Sequence, residues 1–223
     1  MLDNLPWHAL NTEHARFALC APAARKYPAD VTPFCGTPDN SAQSLQQIIP
    51  LLNPDETTYV MADALPAISG LTLGEPLPVF QMLAAEIPKA APPDRCLVSL
   101  FAEDAPAMMK LTDLAFPGFF RPRTCEMGVY YGIRIDDELV AMAGERLTLP
   151  DYREISGVCT HPAHTGKGYA AGLVAHLMQE HAWKGLHSIL QVGCANTRAI
   201  ALYKRLGFCV RKETRLYPLS RSA

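Results

Sequence analysis

Apolar positions follow two regimes along this chain. Residues 1–94 hold most of its 19 prolines, and the patterning there is irregular. Within that region His14–Ala24 and Ser41–Ile49 read as short helices and Thr57–Met61 as a strand. Leu65–Pro78 is broken by Pro and Gly and reads as loops with one short strand. The segment Pro88–Pro93, Pro-Lys-Ala-Ala-Pro-Pro, has the composition of a linker. From Arg95 onward the periodicity is clean. Cys96–Phe101 is a short apolar run that predicts a buried strand, and Asp104–Ala115 carries Met108, Leu111, Leu114 and Ala115 at helical spacing. Val129–Ile135 and Glu138–Glu145 read as strands joined by the polar pair Asp136-Asp137, a hairpin turn. Tyr152–Thr160 is a further strand. In Gly168–Trp183 the residues Ala170, Leu173, Val174, Leu177 and Met178 form one helical stripe, and Gly185 is placed to end it. His187–Val192 predicts a strand. Thr197–Leu206 predicts a helix with Ala199, Leu202, Tyr203 and Leu206 on one side and Gly207 as its stop. Phe208–Arg211 and Arg215–Leu219 read as two final strands. The order from residue 95 is β-α-β-β-β-α-β-α-β-β, an α/β domain with an early antiparallel meander at residues 95–223. A divergent α+β region at residues 1–94 precedes it, packed on that fold or part of it.

Composition narrows the function classes. With 223 residues and 49% apolar content the chain can bury a sizeable core, which excludes global disorder. A formal charge of −2 leaves no electrostatic footprint for nucleic acid or for an anionic membrane. No apolar run approaches the roughly 18 residues of a membrane span. The start, Met1-Leu-Asp-Asn-Leu-Pro-Trp, lacks the basic and apolar regions of a secretory signal. The seven cysteines are scattered without CxxC pairs, which predicts reduced thiols in a cytoplasmic protein. Oligomeric state is left open.

Candidate chemistry concentrates in Glu154-Ile-Ser-Gly-Val-Cys-Thr-His-Pro-Ala-His-Thr-Gly-Lys-Gly-Tyr-Ala-Ala171. A strand runs into a glycine-rich turn, and the turn opens a helix. Backbone N–H groups at such a start are unpaired and, with the helix dipole, favour an anion. Glycine lets that anion approach the backbone closely. Three ligands compete. A Walker A loop would need Gly at His161 and Ser or Thr at Gly168, so it fails. A dinucleotide fingerprint is formally present as Gly166-x-Gly168-x-x-Ala171, but His187–Val192 lacks the acidic residue it requires. The pyrophosphate of coenzyme A is the third.

The order Val158-Cys-Thr-His-Pro, Thr165-Gly-Lys-Gly-Tyr-Ala170 and Asn196-x-x-Ala199-Ile-x-Leu-Tyr203-x-x-Leu206-Gly-Phe208 resembles the GNAT (Gcn5-related N-acetyltransferase) superfamily. The first part is similar to its coenzyme loop, usually Gln/Arg-x-x-Gly-x-Gly/Ala. The second is similar to its late Asn…Ala-x-x-Leu-Tyr-x-x-x-Gly-Phe signature. The resemblance covers roughly residues 95–223. Thr165 departs from it, standing where the family carries Gln or Arg. A lesser resemblance is to the glycine N-acyltransferase-like branch, which places extra sequence before the catalytic fold.

The resemblance implies a mixed central β-sheet flanked by helices and an acetyl-CoA-dependent N-acetyltransferase. An amine acceptor would attack the thioester directly in a ternary complex, with no metal. It further implies coenzyme contacts at Val158, Cys159, Thr160, Thr165, Gly166, Lys167, Gly168, Tyr169, Ala170, Ala171 and Asn196, with the Val158 N–H facing the developing oxyanion. Glu154 stands where histone-acetylating members carry their base. Regular alternation would put it on one face with Ser156, Val158 and Thr160. Other members carry a glutamate at the position of Gln191, which cannot act as a base. Tyr203 is the candidate acid for the leaving thiolate. Each has a plainer reading: a salt-bridged strand glutamate, a core tyrosine, an Asn196 helix cap. Cys159, His161 and His164 lack a fourth partner for a metal, and Cys159 reads as a small buried strand residue. Phe119, Phe120, Arg121 and Arg123 are placed to shape an acceptor site, although the arginines read equally as surface charges. A non-catalytic acyl-CoA-binding module of the same fold is the alternative; a dinucleotide oxidoreductase is disfavoured.

Overall fold

A computed structural model of the protein describes residues 1–88, 97–115 and 117–222. Its elements are α1 (Leu5–Leu10), β1 (Leu19–Ala21), β2 (Ala24–Lys26), β3 (Cys35–Gly36), α2 (Ala42–Gln46), β4 (Thr58–Ala62), β5 (Leu71–Leu73), β6 (Leu77–Ala84), β7 (Leu97–Leu100), α3 (Ala105–Ala115), β8 (Tyr130–Ile135), β9 (Glu138–Thr148), β10 (Tyr152–Thr160), α4 (Tyr169–Trp183), β11 (His187–Gly193), α5 (Thr197–Arg205) and β12 (Phe208–Arg221). The meander forms as its pattern predicts. Asp136 and Asp137 take φ of 48° and 63°, the left-handed pair that a two-residue hairpin turn requires. The Arg134 guanidinium donates to the Asp137 carbonyl and closes the turn.

β1, β2 and β3 make a small antiparallel sheet, and the other strands make one nine-stranded sheet in the order β4-β12-β6-β11-β10-β9-β8-β7, with β5 on β12. All its ladders are antiparallel except β10–β11, which the crossover helix α4 makes parallel. The region before residue 95 therefore contributes strands to the central sheet. β6, which the sequence reads as loop ending at Pro78 followed by unassigned residues, lies between β11 and β12. Pro78 sits near the start of that strand, where a missing N–H is tolerated, and its carbonyl accepts from Cys194 N–H.

Two other expectations change, and one lies mostly outside the described residues. His14–Ala24 is not a helix: a 3-10 turn at Ala15–Phe17 leads into the β1–β2 hairpin, whose turn holds Pro22. The two expected final strands are one, Phe208–Arg221, bent by a bulge between Val210 and Lys212. The linker segment Pro88–Pro93 lies, beyond Pro88, outside the described residues, as does Cys96.

Two layers cover the sheet. On one face α4 and α5 bury Leu173, Val174, Leu177, Met178 and Tyr203 against Val140, Ala143, Ile155, Leu190 and Phe208. On the other, α3 packs Met108 and Leu111 against Leu139 and Met142. Beside it the N-terminal region packs Leu5, Leu10, Tyr27 and Phe34 against Leu147, Ile189 and Leu216. The neighbours Ile189 and Leu190 point to opposite layers, as strand alternation demands. Fully buried His181 pins α4 to the sheet, with Nδ1 2.8 Å from Ser188 Oγ and Nε2 2.9 Å from Glu145 Oε1.

Candidate functional site

The parallel ladder between β10 and β11 runs from Tyr152↔His187 to Ile155↔Leu190 and stops. On the other side of β10 the register with β9 jumps between Ser156 and Cys159. Gly157 and Val158 thus have no ladder partner, and the two parallel strands part beyond Ile155. Gly157 makes this bulge at φ 62°, with Tyr130 Cε1 3.2 Å from where a Cβ would stand. Regular alternation from Glu154 to Thr160 consequently fails at Gly157.

The parting opens a groove of about 390 Å³. Val158, Cys159 and Thr160 line it, as do Thr165, Gly166, Lys167, Gly168, Tyr169, Ala170, Ala171, Asn196 and Tyr203. The backbone N–H groups of Gly166 to Ala171 meet no acceptor among the described residues. Gly166 and Gly168 both take φ 79°, with nothing within 4 Å of an added Cβ, so the turn presents bare backbone to the groove. Gly168 caps α4 without a side-chain bond. His164, Lys167, Arg198 and Arg205 add cationic or protonatable side chains, and among the described residues no carboxylate lines the groove. A helix N-terminus, open N–H groups and guanidinium groups together fit a pyrophosphate and a further phosphate. Thr165 turns its hydroxyl back to the Pro162 carbonyl at 3.1 Å. Asn196 Oδ1 accepts from Ala199 N–H at 3.1 Å and caps α5 while its residue lines the groove.

Tyr203 stands where the groove reaches β10. Burial, then the neighbouring Cys159, push its phenol up to about 12, so it holds its proton through the neutral range. Burial likewise pushes the Cys159 thiol up to about 12, which disfavours a nucleophilic thiolate there.

Comparison with known proteins fits this geometry. The family model described as FR47-like protein matches residues 130–217. A GNAT-family structure from Novosphingobium aromaticivorans is 30% identical over 100% of this chain and 99% of its own, with a TM-score of 0.90. This chain belongs to the GNAT superfamily. A GCN5-related N-acetyltransferase from Kribbella flavida shares the GNAT fold at 19% identity and TM-score 0.63, over 96% of this chain and 94% of its own. A GNAT-family acetyltransferase from Colwellia psychrerythraea does so at 13% identity and TM-score 0.53, over 89% and 80%. No curated protein matches the chain. Among the described residues no helix is long and apolar enough to cross a membrane.

Within this GNAT fold the structure does not bring Glu154 to the groove. Glu154 is fully buried on the opposite face. Arg146 grips it twice, Nη2–Oε1 at 2.7 Å and Nε–Oε2 at 3.0 Å, and Leu147 N–H and Gln191 Nε2 donate to the same oxygens. No oxygen is left for a substrate proton. The Arg146 guanidinium stacks 4.7 Å over Phe34, which fixes it further. Phe119 stacks on Phe34 and leans on Tyr59, and Phe120 meets Tyr130 edge-on. Arg123 is held by Glu126 and Asp30, so it serves the loop rather than a ligand. Arg121 donates to the Phe120 carbonyl.

Sequence reasoning missed Arg198 and Arg205. Their spacing of seven on α5, two helical turns, was the available signal for one cationic face. It also missed Arg146 and Tyr130, which only the pairing of β8, β9 and β10 brings to Glu154 and Gly157.

Proposed function

We propose that the protein transfers an acetyl group from acetyl-CoA to an amine by direct attack in a ternary complex. One observation carries this reading: a groove that no described carboxylate lines, with unpaired loop N–H groups, ends at parted strands beside a protonated, buried tyrosine. The coenzyme supplies a thioester. Gly166 to Ala171, Lys167 and the α5 arginines would hold its phosphates, and Val158 to Thr160 would flank its pantetheine arm as an added strand. Val158, out of register in the bulge, offers its N–H to negative charge on the thioester oxygen. Tyr203 holds at Oη the proton that a departing thiolate needs.

The buried pairing of Glu154 moves it from base to positioning residue. The amine then reacts from its neutral fraction, and its surplus proton leaves to solvent. The same burial is what favours the second reading, an acyl-CoA-binding module without turnover. Release of free thiol from acetyl-CoA, measured against a panel of amines, separates the two.

A further inference from the structure

A second hollow, of about 300 Å³, lies apart from the groove and shares none of its described lining. It opens where the N-terminal region meets the β9–β10 end of the central sheet and the turn after α4. Arg16 reaches it from the 3-10 turn Ala15–Phe17, Thr148 from the end of β9, Arg153 from the start of β10 and Lys184 from the C-cap of α4. No step of acetyl transfer uses any of them.

Arg16 and Arg153 form no ion pair among the described residues; backbone carbonyls hold them instead. Arg16 Nη2 donates to the Glu126 carbonyl at 2.8 Å, and its guanidinium lies 4.7 Å over the Phe17 ring. Arg153 Nη1 donates to the carbonyls of Leu149 and Tyr152. These bonds fix both groups and leave donors to spare on Nε and Nη1 of Arg16 and on Nε and Nη2 of Arg153. Burial, and after it the charges of Arg16 and Arg153, lower the pKa of His14 in the wall of the hollow to about 4. Both guanidinium groups are thus within electrostatic reach of one buried residue, which stays neutral and adds no cation of its own.

The other charges in the lining are engaged or exposed. Lys184 pairs with Glu180 at 2.5 Å. Glu145 accepts from Val129 N–H through Oε2 at 3.3 Å and has Oε1 2.9 Å from His181 Nε2. Exposed Glu13 forms no ion pair among the described residues, and its charge opposes a polyanion, which limits a ligand to one compact anionic group. Independently of these charges, Thr148 is 8% exposed, lines the hollow, and its hydroxyl meets no hydrogen-bond partner among the described residues. A hydroxyl so enclosed is satisfied by what fills the hollow.

We propose that this hollow binds a small oxyanion, a phosphate or carboxylate group, gripped by Arg16 and Arg153 and accepting a hydrogen bond from Thr148 Oγ1. Fixed guanidinium groups with free N–H donors suit such oxygens. The bound anion joins the N-terminal region, through Arg16, to the sheet, through Arg153 and Thr148. Binding therefore braces the folded chain and raises Tm with anion concentration. The site stands apart from the acetyl-transfer reading, since none of these residues lines the groove.

The test is thermal unfolding of the full chain titrated with inorganic phosphate and, separately, with acetate, each against chloride at equal ionic strength. A saturable rise in Tm with either anion, absent with chloride, is expected, and the tighter of the two names the group. Arg16→Gln and Arg153→Gln should each raise the apparent Kd about tenfold or more, because each removes charge-assisted hydrogen bonds. Arg16 is exposed, so its variant keeps the test sound if Arg153→Gln, which loses two turn contacts, fails to fold. Thr148→Val should weaken binding to a smaller degree. Arg198→Gln, in the groove, should leave the titration as in wild type. Equal shifts with chloride, or an apparent Kd unchanged in Arg16→Gln, would overturn the inference and leave acetyl transfer untouched. An effect lost in Arg198→Gln alone would place the anion in the groove and overturn it as well.

Discussion

Glu154 on β10 and Arg146 on β9 face each other as a two-point ion pair, at 2.7 and 3.0 Å, inside the sheet. A carboxylate so held stabilises the fold rather than shuttling protons. Glu154→Gln would leave the Arg146 charge buried without its partner, at a cost of about 3–5 kcal/mol. Denaturant unfolding should show that loss while acetyl-CoA affinity stays near wild type. An unchanged midpoint together with a rate that recovers at high pH would restore Glu154 as a base.

His14 reports on the contact between the N-terminal region and the sheet. It is buried between Tyr27 Oη at 2.8 Å and the Met127 carbonyl at 3.0 Å. Burial lowers its pKa from 6.5 to about 4. The unfolded chain therefore binds this proton first as pH falls. The contribution is fully present above about pH 6.5 and is lost as pH drops toward 4, amounting to about 3 kcal/mol over that window. Unfolding free energies measured from pH 7.5 to 4 should show this slope. His14→Gln should flatten it, and a slope identical to wild type would exclude His14 as its source.

These two residues also mark what the sequence could and could not tell. The hairpin at Asp136-Asp137, the strand Tyr152–Thr160 and the glycine turn were legible because local chemistry sets them: left-handed turn residues, alternation, a helix start without a capping side chain. β6 was not, because Pro78 and the nearby glycine and prolines disguise a strand whose place between β11 and β12 is decided by distant pairing. The groove lining was legible as one contiguous loop plus one helix. The surroundings of Glu154 were not, since Arg146 and Gln191 reach it from the two neighbouring strands. His14, read as part of a helix, is placed by contacts with residues over a hundred positions away.

Gly168 tests the anion loop. At φ 79° it holds a conformation that branched residues avoid, and the space beside it is open to the groove. Gly168→Val should cost roughly 1–3 kcal/mol in stability and weaken acetyl-CoA binding by a larger factor, because its side chain would stand where the phosphates approach. Calorimetric titration of the folded variant checks this; unchanged affinity would place the coenzyme elsewhere.

Tyr203 tests the proton donor. Tyr203→Phe removes one hydroxyl and leaves the contact with Phe208 in place, so Tm and acetyl-CoA affinity should hold while kcat falls roughly 10²–10⁴-fold. Because the phenol titrates near 12, it remains an acid at every pH where the amine gains its neutral form. The wild-type rate should therefore climb with pH until the amine is deprotonated, near about 10.4 for an alkyl amine, without the decline that an ordinary tyrosine would impose near about 10. A falling limb beginning near about pH 9 would mean that the acid keeps the ordinary tyrosine value, and the same limb persisting in Tyr203→Phe would exclude Tyr203 as the acid.

The central claim is that this groove delivers an acetyl group to an amine. The most direct measurement is a thiol titration of acetyl-CoA incubated with the protein and a panel of amines, with the amine product weighed by mass spectrometry. Acetyl transfer predicts catalytic thiol release that depends on one class of amine and yields that amine heavier by one acetyl group. Tight acetyl-CoA binding with no release above the amine-free control, across the whole panel, would contradict it.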